Sequence, residues 1–176
     1  MDIANVYDYL NTVMGVGTLI SSVLILLLWV RPVRNTLKNY SPLLRCVAGG
    51  LGLALIAFPL IYEFGFGFAP CLMCWMQRIA IWPAIVIMLV SFYRKETRII
   101  APYIYTLLAF GIVFALYHIS LQLGVTTSSV CEASGGAACS NIDIVSLGFI
   151  TMPVMSIVGQ LLITTLVSII TEQEHI

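Results

Sequence analysis

Charge is scarce in this sequence, and its scarcity excludes most of what a soluble protein does. Asp, Glu, Lys and Arg make up 9% of the 176 residues, against 60% hydrophobic ones. So much apolar surface has no soluble core to hide in, and the chain reads as an integral membrane protein surrounded by lipid. Seven of the eight basic residues fall in two short stretches, Arg31 to Arg45 and Arg94 to Arg98, which leaves no basic patch for a nucleic-acid partner. Histidine is scarcer still, with two in the chain. Neither follows the second cysteine of Cys71-Leu72-Met73-Cys74, where Trp75 stands instead, and that excludes a c-type haem. Gly49-Gly50-Leu51-Gly52 lies within an apolar run rather than after a strand, so it is no dinucleotide loop; small residues at that spacing favour close helix packing. Internal repeats, low-complexity tracts and long linkers are also missing.

What is present is a series of apolar runs. Val13 to Val30 gives 18 residues without a charge, close to the ~20 that cross a bilayer core as a helix. It is longer than a usual signal-peptide core, and the acidic Asp2 and Asp8 precede it where a basic region would be expected, so it is a retained span. Cys46 to Tyr62 is a second run, ending near Glu63 in Phe64-Gly65-Phe66-Gly67-Phe68, whose glycines disfavour helix and whose aromatics suit an interface. Ile79 to Tyr93 is short at 15 residues, but starting the helix at Cys71 lengthens it to 23. Ile99 to Leu123 and Val145 to Ile170 complete the set. Pro59, Pro83 and Pro153 lie in or near spans, where proline is tolerated as a kink.

The fold class is therefore an all-α membrane protein with five spans, which puts its termini on opposite sides. Basic residues favour the cytoplasmic side. The loops Arg31 to Arg45 and Arg94 to Arg98 alternate correctly for that side, along with the carboxyl terminus. The amino terminus, the loop holding Cys71 and the loop Val125 to Ser146 then face outward from a cytoplasmic (inner) membrane.

Four of the five cysteines, Cys71, Cys74, Cys131 and Cys139, fall on that outer face, two per loop, and Cys46 stays beside Arg45 on the reducing side. Thiols in an oxidising compartment imply disulfides, either as structural staples or as exchange-active pairs. A C-x-x-C pair at a helix start favours exchange, because the helix dipole stabilises a thiolate. Closing the short Cys131 to Cys139 interval offers only about 2.6 kcal/mol on the chain-entropy model, so it too suits exchange better than reinforcement. A zinc site is the weaker reading of the same residues, and no metal is expected. A disulfide that oxidises a partner must itself be reoxidised. With no flavin or haem motif in the chain, the economical electron acceptor is a quinone in the bilayer. Arg78 lies four residues after Cys74 on the same helical face, where a guanidinium suits both a Cys74 thiolate and the developing oxyanion of a reduced quinone. His118, near the outer end of the fourth span, reaches a similar depth as a proton donor. Cys46 is expected to be a small buried hydrophobe near a helix end.

Pro70-Cys71-Leu72-Met73-Cys74-Trp75-Met76-Gln77-Arg78 closely resembles the P-C-x-x-C-x-x-x-R segment of the DsbB/BdbC-type disulfide-bond formation proteins. Tyr117-His118-Ile119-Ser120-Leu121-Gln122-Leu123 is similar to that family's E-H-x-x-x-Q-L stretch, and Leu147-Gly148-Phe149-Ile150-Thr151-Met152-Pro153 to its L-G-x-x-x-P entry into the last span. The likeness covers about residues 46 to 171. It implies a four-helix transmembrane bundle over residues 46–176, with residues 1–45 adding an extra amino-terminal helix and a basic loop. It also implies an oxidoreductase that reoxidises a thioredoxin-fold, DsbA-like thiol oxidase on the outer face and passes the electrons to ubiquinone or menaquinone. In that scheme a Cys131–Cys139 disulfide meets the partner through Cys131, Cys139 exchanges with Cys71, and Cys74 hands electrons to a quinone held near Arg78, His118 and Gln77. Two features depart from the pattern: the first span has no counterpart in it, and the interval between Cys131 and Cys139 is much shorter than in the best-known members. A disulfide-stapled scaffold and a transmembrane reducing conduit are the competing readings, the second needing cysteines reachable from inside.

Overall fold

The computed structural model describes residues 3–37, 40–126, 131, 138–142 and 144–174. Asp2 and much of the loop around Cys131 and Cys139 lie outside them. Among the described residues, five helices are long and apolar enough to cross a membrane. They are α1 (Ile3–Trp29), α3 (Ser41–Leu60), α4 (Leu72–Arg94), α5 (Thr97–Gln122) and α6 (Met152–Gln173), with a short α2 (Arg31–Leu37) after the first. The chain thus has the expected all-α, five-helix architecture.

The element boundaries differ from the apolar runs in instructive ways. α1 begins ten residues before Val13 because the polar Asn5 to Thr12 stretch still forms helix; hydropathy measures what lipid tolerates, not where hydrogen bonding starts. The basic stretch after it, expected as a loop, coils into α2. The glycines after Tyr62 do not stop the second span at once, since Ile61–Gly65 continues as a π-helical turn. Val145 to Thr151, expected within the last span, is instead a small antiparallel hairpin pairing β1 (Val145–Ser146) with β2 (Ile150–Thr151). Its turn places Leu147 and Gly148 at φ 52° and 81°, a left-handed geometry that ends any helix. α6 starts just after it, with a proline in its first turn where the missing N–H costs nothing.

α6 sits at the centre, packed against α1, α3 and α5, while α4 and α5 form an antiparallel hairpin. Ile85, Met88, Ile104, Leu108, Ile163 and Val167 make the middle of the core. The small residues of α3 do pack closely: a methyl group on Gly52 would lie 2.9 Å from Ile85 Cγ2. Glu174 ties up the basic end of the bundle. Its carboxylate pairs with Arg45 at 2.8 Å and accepts from the first amides of α5, Thr97 N at 3.4 Å and Arg98 N at 2.8 Å. Those amides have no partner within their own helix, and a carboxylate there also faces the positive end of the helix dipole. Arg34 pairs with Glu172 alongside. Cys46 is exposed rather than buried, because it lies on the face of α3 turned away from the core.

Candidate functional site

The opposite end of the bundle carries the cysteines. Cys71 is the N-cap of α4: its backbone is extended (φ −74°, ψ 168°) and its Sγ accepts from Cys74 N at 3.3 Å. The helix therefore begins one residue after the expected start and donates one of its first-turn amides, that of Cys74, to the first sulfur. Cys74 lies one turn on, with its Sγ 3.0 Å from that of Cys71, and both are free thiols. Cys131 and Cys139 form a disulfide. It shares one small apolar cluster with Cys71, Met73 and Leu121, all buried. The two cysteine pairs, far apart in the chain, are thus brought together at one end.

His118, projecting from the last turns of α5, completes the dithiol's surroundings. Its Nε2 lies 3.6 Å from Cys71 Sγ, and Gln77 Nε2 lies 3.2 Å from its Nδ1. An amide nitrogen only donates, so Nδ1 accepts from Gln77 and the ring proton sits on Nε2, aimed at the sulfur. Cys71 is accordingly held well below the usual thiol range. The Cys74 thiol bonded to it contributes most, and His118 adds to this, while burial opposes both. Cys71 Sγ, Cys74 Sγ and a ring nitrogen of His118 all lie within 4.8 Å of one another and could ligate a metal, though no fourth His, Cys, Asp or Glu among the described residues joins them.

Arg78 lines the same space as Cys74, on the expected side of the helix. Its guanidinium pairs with Glu63 at 2.5 Å, donates to Pro59 O at 3.4 Å, and lies over the rings of Trp75 and Trp82, 5.2 and 5.8 Å from their centroids. Glu63 was visible in the sequence as a charge at the end of an apolar run. What could not be seen was that the π-helical turn aims it at an arginine 15 residues on.

Behind Cys74 lies a cavity of about 300 Å³ between α1, α3, α4 and α6, touched by the end of α5. Cys74, Gln77, Arg78 and His118 line it together with Val13, Leu51, Leu55, Phe58, Ile81 and Val158. A few convergent polar groups in a mostly apolar hollow suit a ligand with a polar ring and an apolar tail. A smaller cavity of about 70 Å³ shares Cys74, Arg78 and His118 and is also lined by Cys71, Glu63, Ala138 and Asn141. The dithiol therefore stands between the two spaces, with Cys71 on the disulfide side and Cys74 open to both. All seven site residues singled out in the sequence meet at this one end of the molecule.

No solved structure matches the chain significantly. Among curated proteins, it is 40% identical over 89 residues to an SPbeta prophage-derived disulfide bond formation protein B of Bacillus subtilis, covering 51% of this chain and 59% of that protein. It is 29% identical over 123 residues to a probable disulfide formation protein C 2 of Bacillus anthracis, covering 70% and 86%. A probable disulfide formation protein of Chlamydia trachomatis is 38% identical over 100 residues, covering 54% and 67%. The chain spans about six-tenths of the length of the first of these and more of the others. Residues 41–170 match the family model for the disulfide bond formation protein DsbB, and with that match extending over most of its helices, this chain belongs to the DsbB family of disulfide-forming membrane proteins.

Proposed function

We propose that the chain is a protein-dithiol:quinone oxidoreductase that reoxidises a thioredoxin-fold thiol oxidase. The observation that carries this is the split environment of the dithiol. Cys71 packs with the Cys131–Cys139 disulfide, while Cys74 opens into the cavity lined by Gln77, Arg78 and His118.

In this reading the thiolate of the reduced partner attacks Cys131, and Cys139 leaves as a thiolate. The partner's second thiol then resolves the mixed disulfide, so two electrons and two protons pass from the partner's dithiol to Cys131 and Cys139. Exchange of these thiols with a Cys71–Cys74 disulfide restores the Cys131–Cys139 bond and leaves Cys71 and Cys74 as the reduced pair. In that exchange Cys139 attacks Cys71 and Cys74 leaves; Cys131 then attacks Cys139 and releases Cys71, whose thiolate is stabilised by the Cys74 thiol and by His118. Gln77, Arg78 and His118 would hold a quinone in the cavity, which when bound would supply the two-electron, two-proton oxidation that returns Cys71 and Cys74 to a disulfide. Cys74 faces the acceptor, and Arg78 offers fixed positive charge where negative charge develops. His118 holds a proton on Nε2, oriented by Gln77. Residues 46–176 form the four-helix unit and residues 1–45 the addition. The cysteine end faces outward, and the basic loops lie in the cytoplasm.

The test combines the purified protein with a reduced thioredoxin-fold oxidase and a short-chain quinone. Thiols should be consumed catalytically, and Cys71→Ser or Cys74→Ser should leave the partner reduced. An unchanged partner redox state in both variants refutes the reading.

A further inference from the structure

Building on the quinone reading above, we propose that α1, the helix that the four-span pattern lacks, is part of the acceptor site: its middle turns around Gly17 form one wall of the quinone cavity and limit the size of quinone it admits. α1 is pinned at both ends. At the cysteine end Tyr7 packs edge-on against Tyr62 and Phe66, with centroids 6.0 and 5.4 Å away, and stacks on Phe68 at 5.8 Å. One turn on, Asn11 Nδ2 donates to Val145 O at 2.8 Å and Asn11 O accepts from Ser146 Oγ at 2.6 Å. Gly15 has a packing reason, since a Cβ there would run into Ser146 Oγ. At the other end Leu28 is buried in the main core with Leu44.

Between these anchors the helix lines the cavity with Met14, Gly17, Thr18 and Ser21, across from Cys74 and Arg78. Gly17 differs from Gly15. It lies inside a helix, where glycine costs roughly 0.5–1 kcal/mol against alanine, and nothing lies within 4 Å of where its Cβ would be. Neither a turn nor a close approach accounts for it. Gly17 is itself exposed, and what it provides is open volume at the rim of the cavity that Cys74 also lines.

The full chain in detergent, titrated with a short-tailed benzoquinone, reports binding through tryptophan fluorescence, because Trp82 lines the same cavity. Gly17→Leu adds a branched side chain to that wall while raising helix propensity, and should weaken quinone binding about tenfold or more, as overpacking does. Gly50→Leu also projects into open space but does not line the cavity, and should bind as the unaltered chain does. If Gly17→Leu fails to fold, as judged by its unfolding temperature, Ser21→Leu on the same wall carries the same expectation. Unchanged affinity in the folded wall variants overturns the role of α1 while leaving the quinone reading in place. Absence of saturable quenching in the unaltered chain overturns both.

Discussion

Replacing His118 by leucine removes one of the groups that hold Cys71 as a thiolate and leaves the others in place. The ring nitrogen lies 3.6 Å from Cys71 Sγ, the long end of a hydrogen bond to sulfur, whereas Cys74 Sγ at 3.0 Å and Cys74 N at 3.3 Å stay where they are. A hydrogen bond to a charged group contributes about 1.5–3 kcal/mol, and the long contact argues for the lower figure. At about 1.4 kcal/mol per tenfold change, the midpoint of Cys71 ionisation should rise by roughly one pH unit. Below the original midpoint the variant should then have about one-tenth of the thiolate, each about threefold more nucleophilic for its higher basicity, so alkylation by a small reagent should slow by about threefold. Above the new midpoint the order reverses. Both proteins are fully ionised there, and a more basic thiolate is the better nucleophile, by about threefold for a tenfold change in basicity. The two pH–rate profiles should therefore cross. The assay is alkylation of Cys71 across pH in a chain carrying Cys46→Ala, read by mass. Superimposable profiles would refute the claim that His118 acts on Cys71.

Two further predictions concern the frame that holds the site. Glu174→Ala removes the partner of Arg45 and the acceptor for two amides at the start of α5. This should cost about 2 kcal/mol and lower the unfolding midpoint in detergent by several degrees, with Glu174→Gln recovering part of the loss. Gly52→Ala and Gly50→Ala should shift stability in opposite directions. The first pushes a methyl group to within 2.9 Å of Ile85 Cγ2 and the second meets nothing within 4 Å. Position 52 should therefore lose about 1 kcal/mol or more to overpacking while position 50 gains up to about 1 kcal/mol in helix propensity, as equilibrium unfolding would measure.

The spans were legible because a bilayer tolerates so little charge that long apolar runs have one interpretation. Their ends were not, because hydropathy does not see hydrogen bonding. Asn5 to Thr12 is polar yet helical, and Val145 to Thr151 is apolar yet folded as a hairpin. The expected burial of Cys46 failed for a related reason: a cysteine at either face of a lipid-embedded helix meets apolar surroundings, so its residue type does not reveal which face it occupies. At the site, the i to i+3 spacing of Cys71 and Cys74 and the i+4 spacing of Arg78 translate directly into one helix face. His118 and Gln77 come from different helices, and their contact depends on how α5 packs against α4. Glu63 depends in addition on a π-helical turn, which no periodic pattern announces.

That turn changes what Arg78 is. A guanidinium inside a span with no counter-charge is costly, and one opposite a thiolate would be drawn to the sulfur. Here Glu63 supplies the counter-charge at the cavity edge, and two indoles cover the faces of the group. The pair is neutral overall, so the cavity does not depend on a negatively charged cysteine to make the arginine tolerable. A guanidinium carries five N–H donors, and among the described residues Glu63 and Pro59 account for one each. Arg78 can therefore keep its ion pair and still donate to a carbonyl group placed beside Cys74. Charge is supplied beside Cys74 without being tied to either protonation state of the dithiol, and that is the property the proposed relay between two sulfur pairs and a lipid-soluble carrier would require.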